Sequence, residues 1–318
     1  MTRRKLDKVI SAKIDEILVE ADLSEALFLT IKSSLSVENK HGERFKWAHL
    51  TLLACQLVSD KLEDALPGAV AMELFALAAD IFDDTLDQDN DSLPWRKLPD
   101  SQAINLAICL LALSFQAALS LTDNKRAQEI GRVFSLAGIH ASDGQFQESL
   151  QTYCEKVALQ EYFDVVSKKS GSLTGCACKI GSLLGGAPQA VVSQLEQFGV
   201  NLGVMSQVQN DLNDFLDLEN KKDFVERRKT LPYVYLDSTL EGEKAELFNQ
   251  LKLAATESLG FGHQEQQSLR ELVLTEGAVQ YCMVVYEMFR QTARGILKSI
   301  PVPQKRKGKL ISIVGKGI

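Results

Sequence analysis

From Ala79 the chain reads Ala-Asp-Ile-Phe-Asp-Asp-Thr-Leu-Asp-Gln-Asp-Asn-Asp, ending at Asp91. On a helix, residues three, four and seven apart share a face, so Asp80, Asp83, Asp84, Asp87 and Asp91 form one acidic stripe. Like charges at that spacing repel, and aspartate is a mediocre helix former. The preceding turn, Phe75 to Ala78, is apolar enough to be core. An acidic stripe running out of a buried helix asks for cations. Oxygen ligands with no His or Cys beside them suit a hard ion such as Mg²⁺, shared with the phosphates of a substrate. Taken alone, the motif also reads as a solvated helix end that the following Asp-Asn-Asp-Ser-Leu-Pro stops.

A second run, Gln207-Val-Gln-Asn-Asp-Leu-Asn-Asp-Phe-Leu-Asp217, puts Gln207, Asn210, Asp211 and Asp214 on one helical face behind another apolar stretch. Two such faces are expected to line opposite walls of one cavity, where facing carboxylates would hold several Mg²⁺ ions with a diphosphate as the bridging anion. Basic groups extend the pattern. Lys168-Lys169-Ser170-Gly171 interrupts a long apolar helix, and Lys221-Lys222 and Arg227-Arg228-Lys229-Thr230-Leu231-Pro232 follow the second motif. Gly42-Glu43-Arg44-Phe45-Lys46 opens an early helix. Cations brought to a metal cluster would neutralise a departing diphosphate, although each basic cluster by itself reads as a surface patch.

The elements that must carry these motifs are helices. Period-2 alternation is nearly absent, while helical spacing recurs in Leu6–Glu20, Phe45–Lys61, Ala69–Leu86, Ala103–Leu121, Lys125–His140, Lys156–Leu184, Val191–Leu218 and Glu265–Leu297. This predicts one all-α domain over residues 1–318 with about ten helices or more, since no linker or repeat divides the chain. Residues 301–318 read as a basic tail, solvated and frayed. Between Ser101 and Thr122 there is no charged residue, yet Asn105 and Gln116 and the flanking aspartates argue for a helix buried in the core or in a dimer interface rather than a membrane span.

Composition narrows the function classes. The 318 residues carry 35 Lys+Arg against 42 Asp+Glu, a net charge of −7 that argues against nucleic acid as the partner. Six scattered cysteines and no signal peptide at the start predict reduced thiols and a cytoplasmic protein. The four histidines, His41, His49, His140 and His263, are isolated, and no phosphate-binding loop, dinucleotide fingerprint or serine-hydrolase elbow occurs.

Asp83-Asp84-x-x-Asp87 resembles the first aspartate-rich motif of the trans-isoprenyl diphosphate synthases, and Gln207-x-x-Asn210-Asp211-x-x-Asp214 the second, with Asn for its leading Asp. In order between and after them, Gly144-Gln145-Phe146-Gln147-Glu148 resembles the family's Gly-Gln-x-x-Asp helix. Glu161-Tyr162 with Lys169-Ser170 and Gly181 resembles its Tyr…Lys-Thr…Gly helix. Arg228-Lys229-Thr230-Leu231-Pro232 resembles its Lys-x-Thr-Leu-Pro stretch. The resemblance implies an all-α isoprenoid-synthase fold around a deep central cavity, usually a homodimer. It implies three Mg²⁺, held by Asp83, Asp84, Asp87, Asn210, Asp211 and Asp214, and an allylic diphosphate between the motifs, ionised to a carbocation that an acceptor attacks. Asp83, Asp84, Lys169 and Asp211 would be the catalytic residues. Lys169, Gln207 and Arg228 would hold the allylic diphosphate, with Arg44, Lys46 and Arg96 as further diphosphate contacts. Phe75, Ala78, Ala79 and Phe82 would line the prenyl-chain pocket, which suggests a chain of about C10–C20 by analogy alone.

The departures lie on the acceptor side. The family's Gly-Lys-Arg-x-Arg-Pro reads here Gly42-Glu43-Arg44-Phe45-Lys46-Trp47, a charge reversal at Glu43 where isopentenyl diphosphate should sit. A His or Gln seven residues before the first Asp is Ala76, and Pro94-Trp95-Arg96-Lys97 stands where Arg-Arg-Gly is usual. Asp80 to Asn90, followed by Pro94-Trp95, is similar to the competence-pheromone prenyl transferases of ComQ type, which implies a tryptophan of a short peptide as acceptor. Isopentenyl diphosphate as acceptor is the alternative. A terpene cyclase, or a non-catalytic subunit of an active synthase, are further readings.

Overall fold

The long apolar periods become helices wherever the sequence supplies a way to bury them. The computed structural model describes residues 3–38, 42–88, 90–218, 222–256 and 261–316; His41, Asp89, Lys221 and the last two residues of the basic tail lie outside the described residues. The helices are α1 Arg3–Glu20, α2 Glu25–Leu35, α3 Lys46–Val58, α4 Leu66–Asp87, α5 Asp100–Leu119, α6 Asn124–Gln151, α7 Leu159–Val166, α8 Ser172–Leu184, α9 Gln189–Leu216, α10 Leu231–Thr239, α11 Gly242–Thr256, α12 His263–Thr275, α13 Ala278–Ser299 and α14 Gln304–Lys316. Every regular element among the described residues is helical, with 3₁₀ turns at Glu63–Ala65 and Pro94–Lys97 and a π-helical turn at Ser167–Gly171.

The chain gathers into two compact units. The first comprises Met1–Leu136, Cys176–Glu196 and Ile300–Leu310; the second comprises Ala137–Gly175, Gln197–Ser299 and Ile311–Ile318.

In the first unit α4 is the central element. Pro67 sits in its first turn, where a missing N–H costs nothing, and Gly68 to Ala78 is buried without a break. The neighbouring α3 starts abruptly after Phe45, which holds a left-handed φ of 55° and offers no capping side chain. Its cap comes from α4 instead. The backbone N–H groups of Trp47 and Ala48 donate to Oε2 of Glu73 at 3.0 and 2.8 Å, so a carboxylate meets the positive end of the α3 dipole. Helix α1 buries Ile10, Ile14, Ile17 and Leu18, the spacing of a single apolar stripe. A Cβ at Gly181 of α8 would fall 2.0 Å from the carbonyl oxygen of Thr51, so only glycine lets α8 meet α3 backbone to backbone.

In the second unit, Phe215, Phe224, Tyr233 and Phe248 pack with Leu269 and Val273 in one core. Tyr162, Val204, Val208, Leu231, Val285 and Cys282 form the other.

Three expectations change. The tail is not frayed: it is helix α14, with Leu310 and Val314 fully buried, and its Arg306 and Lys309 contact Asp60 Oδ2 at 2.5 Å and Gln56 Oε1 at 3.0 Å. Its Lys-rich sequence hid an apolar side of Ile and Leu at helical spacing. The period Lys156–Leu184 is interrupted by the π turn, and Glu265–Leu297 divides at Gly277, whose φ is +82°. Helix α5 is buried on one side only: Ile104, Ile108, Phe115 and Leu119 are exposed. Both the stretch Glu63–Asp87 and α5 are long and apolar enough to cross a membrane by length and composition; the first is mostly enclosed by the rest of the chain.

Candidate active site

The first acidic motif occupies the last two turns of α4. The helix ends at Asp87, because Gln88 takes a left-handed φ of 50°, so Asp91 falls outside the helical stripe and is exposed. Burial pushes Asp80 up to about 6, with Lys46 pulling it down and Asp84 and Asp83 pushing it further up. Asp84 is also buried, and both its oxygens accept hydrogen bonds: Trp95 Nε1 donates to Oδ2 at 2.8 Å, and Asn90 Nδ2 to Oδ1 at 2.6 Å. Asp83 and Asp87, one turn apart, are half-buried. They are oxygen donors with no nitrogen or sulfur ligand among them, a set that suits Mg²⁺. Among the described residues no three His, Cys, Asp or Glu are already drawn together into a cage. An ion that keeps its waters and borrows phosphate oxygens needs none.

The second motif lies on α9. Asp211 is 4 % exposed and its carboxylate is held by three donors. The Tyr162 hydroxyl and the Leu231 N–H donate to Oδ2 at 2.7 and 2.8 Å, and Gln207 Nε2 donates to Oδ1 at 2.8 Å. The Oε1 of Gln207 in turn accepts from Ser170 Oγ at 2.7 Å. Burial pushes Asp211 up to about 6 against those hydrogen bonds, and the same burial raises the Tyr162 phenol well above its ordinary range, so it stays a donor. Asp211 thereby ties α7, α9 and α10 together. Asp214 is half-buried and Asn210 is exposed on the same helix.

The basic residues rest on carboxylates. Lys169 Nζ lies 2.7 Å from Glu148 Oε2, and Lys168 Nζ 2.7 Å from Asp143 Oδ2. The π turn that carries them is set against α6 at Gly144, where a Cβ would fall 2.7 Å from the Lys169 backbone N. Arg228 contacts Glu226 at 2.9 Å and Asp223 at 3.5 Å. Arg96, its side chain 6 % exposed, reaches Gln88 Oε1 at 3.0 Å and lies near Asp100 and Asp91. Near the start of α3, Glu43 is paired with Arg3 at 2.7 Å. The Arg44 guanidinium stacks on Phe45 and donates to the Leu35 carbonyl at 3.2 Å, and Lys46 lies over the Trp47 ring.

This order of motifs on an all-helical frame is matched by known proteins. The polyprenyl synthetase family profile covers residues 33–259. The chain belongs to the polyprenyl synthetase family. The tryptophan prenyltransferase ComQ of Bacillus subtilis subsp. natto is 29% identical over 98% of this chain and 94% of its own length. The short chain isoprenyl diphosphate synthase of Methanocaldococcus jannaschii is 26% identical over 86% of this chain and 84% of its own. Among solved structures, the geranylgeranyl pyrophosphate synthetase of Pyrococcus horikoshii superposes with a TM-score of 0.84 at 19% identity, covering 99% of this chain and 97% of that one. This member of the family is therefore a prenyltransferase with the all-α fold of the isoprenyl diphosphate synthases.

Of its expected pocket residues, Ala78 is fully buried, Ala79 and Phe82 are half-buried, and the ring of Phe75 packs on Phe134 at 5.0 Å between centroids. Sequence reasoning about the site missed Trp95, Asn90, Tyr162 and Glu148 as side chains that hold its carboxylates and its lysine. The nearest signals were resemblances: Pro94-Trp95, Tyr162 and Glu148 all stood in matched motifs. Nothing in spacing pairs Tyr162 with Asp211, 49 residues on.

Proposed function

We propose that this prenyltransferase ionises an allylic diphosphate of geranyl or farnesyl type and passes the prenyl group to the indole of a tryptophan in a short peptide. Asp83 and Asp87 at one acidic helix end, and Asn210 and Asp214 at the other, would hold Mg²⁺. The metal would supply positive charge to a leaving diphosphate. Asp84 and Asp211, each bound by several donors, act as anchors of their helix ends. Lys169 and Arg228 would exchange their carboxylate partners for the diphosphate, and the Gln207–Ser170 pair would orient it. Scission of the allylic C–O bond sends the electron pair to the diphosphate. The electron-rich indole ring then forms the new carbon–carbon bond, and a proton leaves. A second copy of the chain covering the exposed side of α5 belongs to the same reading.

The observation that carries the choice of acceptor is at the start of α3. Glu43 holds a negative charge neutralised by Arg3, while Arg44 and Lys46 are turned onto a backbone carbonyl and aromatic rings. Arg44 Nε and Trp47 Nε1 are buried with no hydrogen-bond acceptor. A second diphosphate would face the Glu43 carboxylate, whereas a peptide brings neutral carbonyls. The likeness to a tryptophan prenyltransferase, 29% identical over 98% of the chain, supports the same choice. Elongation with isopentenyl diphosphate is the alternative, favoured by the likeness to the short chain isoprenyl diphosphate synthase.

The test is a product assay on purified protein with Mg²⁺ and geranyl or farnesyl diphosphate. Diphosphate release that requires a tryptophan-bearing peptide, with no elongation by isopentenyl diphosphate, is the expected result. An elongated diphosphate would establish the alternative, and a hydrocarbon or alcohol formed with no acceptor would establish a cyclase.

A further inference from the structure

The segment after the first acidic motif folds back under the helix that carries it. Gln88 and Asn90 both take left-handed backbone conformations, with φ of 50° and 57°, which reverses the chain within a few residues of the end of α4. The 3₁₀ turn Pro94–Lys97 then delivers the Trp95 indole, 4 % exposed, to Asp84. Asn90 closes on the other oxygen of the same carboxylate. Gln88 fastens the turn, donating to the Thr85 carbonyl at 2.7 Å and accepting from Arg96 at 3.0 Å. Arg96 has Asp91 and Asp100 for counter-charges, and the hydrogen bonds that Trp95 and Asn90, among the described residues of this loop, give to Asp84 come from neutral groups.

Two neutral donors on opposite oxygens define the plane of a carboxylate without cancelling its charge. An arginine in the same place would do the first and undo the second. Because Asp84 lies in the turn that also bears Asp83 and Asp87, fixing it fixes the direction in which that turn presents its other carboxylates. We infer that Trp95 and Asn90 are positioning residues: acting through Asp84, they set the Mg²⁺ affinity of the first acidic helix end. The inference rests on the reading that Asp83 and Asp87 hold Mg²⁺. It assigns to the pair a role distinct from filling the core, which Asn90 isolates because it is exposed and contributes no apolar burial.

The experiment titrates MgCl₂ by calorimetry into the full-length protein with inorganic pyrophosphate at saturation, for the native chain, Trp95→Phe, Asn90→Ala and Asp83→Asn, each with a melting curve. Trp95→Phe keeps the ring and removes the N–H; Asn90→Ala removes a donor at the surface, so it is the variant that folds if Trp95→Phe does not. The expected result is Mg²⁺ binding weakened roughly 10-fold in Trp95→Phe and Asn90→Ala, the scale on which partners of metal ligands act, with an Asn90→Ala melting temperature close to native. In turnover, the loss is recovered by raising Mg²⁺, so that kcat at saturating Mg²⁺ stays near native. Native Mg²⁺ affinity in both variants, alongside weakened affinity in Asp83→Asn, would overturn the positioning role while leaving the metal reading intact. Native affinity in Asp83→Asn would overturn the metal reading itself, and the positioning role with it.

Discussion

At the scale of single residues, the carboxylates divide by what surrounds them. Glu73 is a buried acid held by two backbone N–H groups, and burial nevertheless pushes it up to about 7 from an ordinary 4.5. The folded state therefore binds its proton more tightly than the unfolded chain does. Its contribution to stability is complete below about pH 4.5 and is lost as pH rises through about 7. Glu73→Gln keeps an oxygen for Trp47 and Ala48 and removes the titration. It is expected to be more stable than the native chain at pH 8 by on the order of 2 kcal/mol, and to lose that advantage at pH 4.5. Urea denaturation at the two pH values reads the difference; equal midpoints at pH 8 would show that Glu73 ionises freely in the fold. Asp84 and Asp211 belong to a second class, each gripped by donors from other elements. Asp83, Asp87 and Asp214 form a third, half-buried and at the helix ends.

At the scale of elements, α6 carries two glycines with opposite meanings. Gly131 has nothing within 4 Å of a Cβ added to it, so its only effect is backbone freedom. Gly131→Ala is expected to stabilise the chain by about 0.5–1 kcal/mol and leave turnover alone. At Gly144 the added methyl would meet the Lys169 and Lys168 backbone at 2.7 and 3.1 Å. Gly144→Ala is expected to cost about 1–3 kcal/mol by overpacking and, by shifting the π turn, to lower kcat/KM roughly 10-fold or more. Melting curves and kinetics on the pair separate the cases; a Gly144→Ala enzyme with native kinetics would show that the position of Lys169 does not matter. Helical existence was legible from periodicity for α1, α3, α4, α5, α6 and α9. The breaks inside Lys156–Leu184 and Glu265–Leu297 were not, because a π turn leaves the apolar spacing almost unchanged and a single Gly at 277 is weak punctuation. Helices α2, α10 and α11 were missed: α2 and α10 have 11 and 9 residues, too few for a helical repeat to show, and the apolar residues of the longer α11 are not gathered on one side.

At the scale of the whole molecule, α5 presents Ile104, Ile108, Phe115 and Leu119 on its open side, with Leu119 67 % exposed. A helix with no charge beyond Asp100 and with one covered side is what a second copy would complete. The native chain is expected to sediment as a dimer and Ile108→Glu as a monomer in the analytical ultracentrifuge; a native chain that sediments as a monomer would remove the partner from the proposal. The sequence by itself determined the class of fold and the two acidic helix faces, because both depend on local facts: apolar spacing makes helices, and acidic residues three and four apart must share a face. It placed every member of both acidic motifs in consecutive turns, apart from Asp91. Only the tertiary structure decided which of those acids are gripped by donors from other segments: Asp84 by Trp95 and Asn90, Asp211 by Tyr162 and Leu231. Asp84 lies about 100° around its helix from Asp83, and Asp211 about 60° from Asp214, and which direction faces a Trp95 or a Tyr162 is set by the packing of segments distant in sequence. The charges followed the same logic: Lys169, Arg228 and Arg96 read as open cations because their partners Glu148, Asp223 and Asp100 are identified only once the chain has folded.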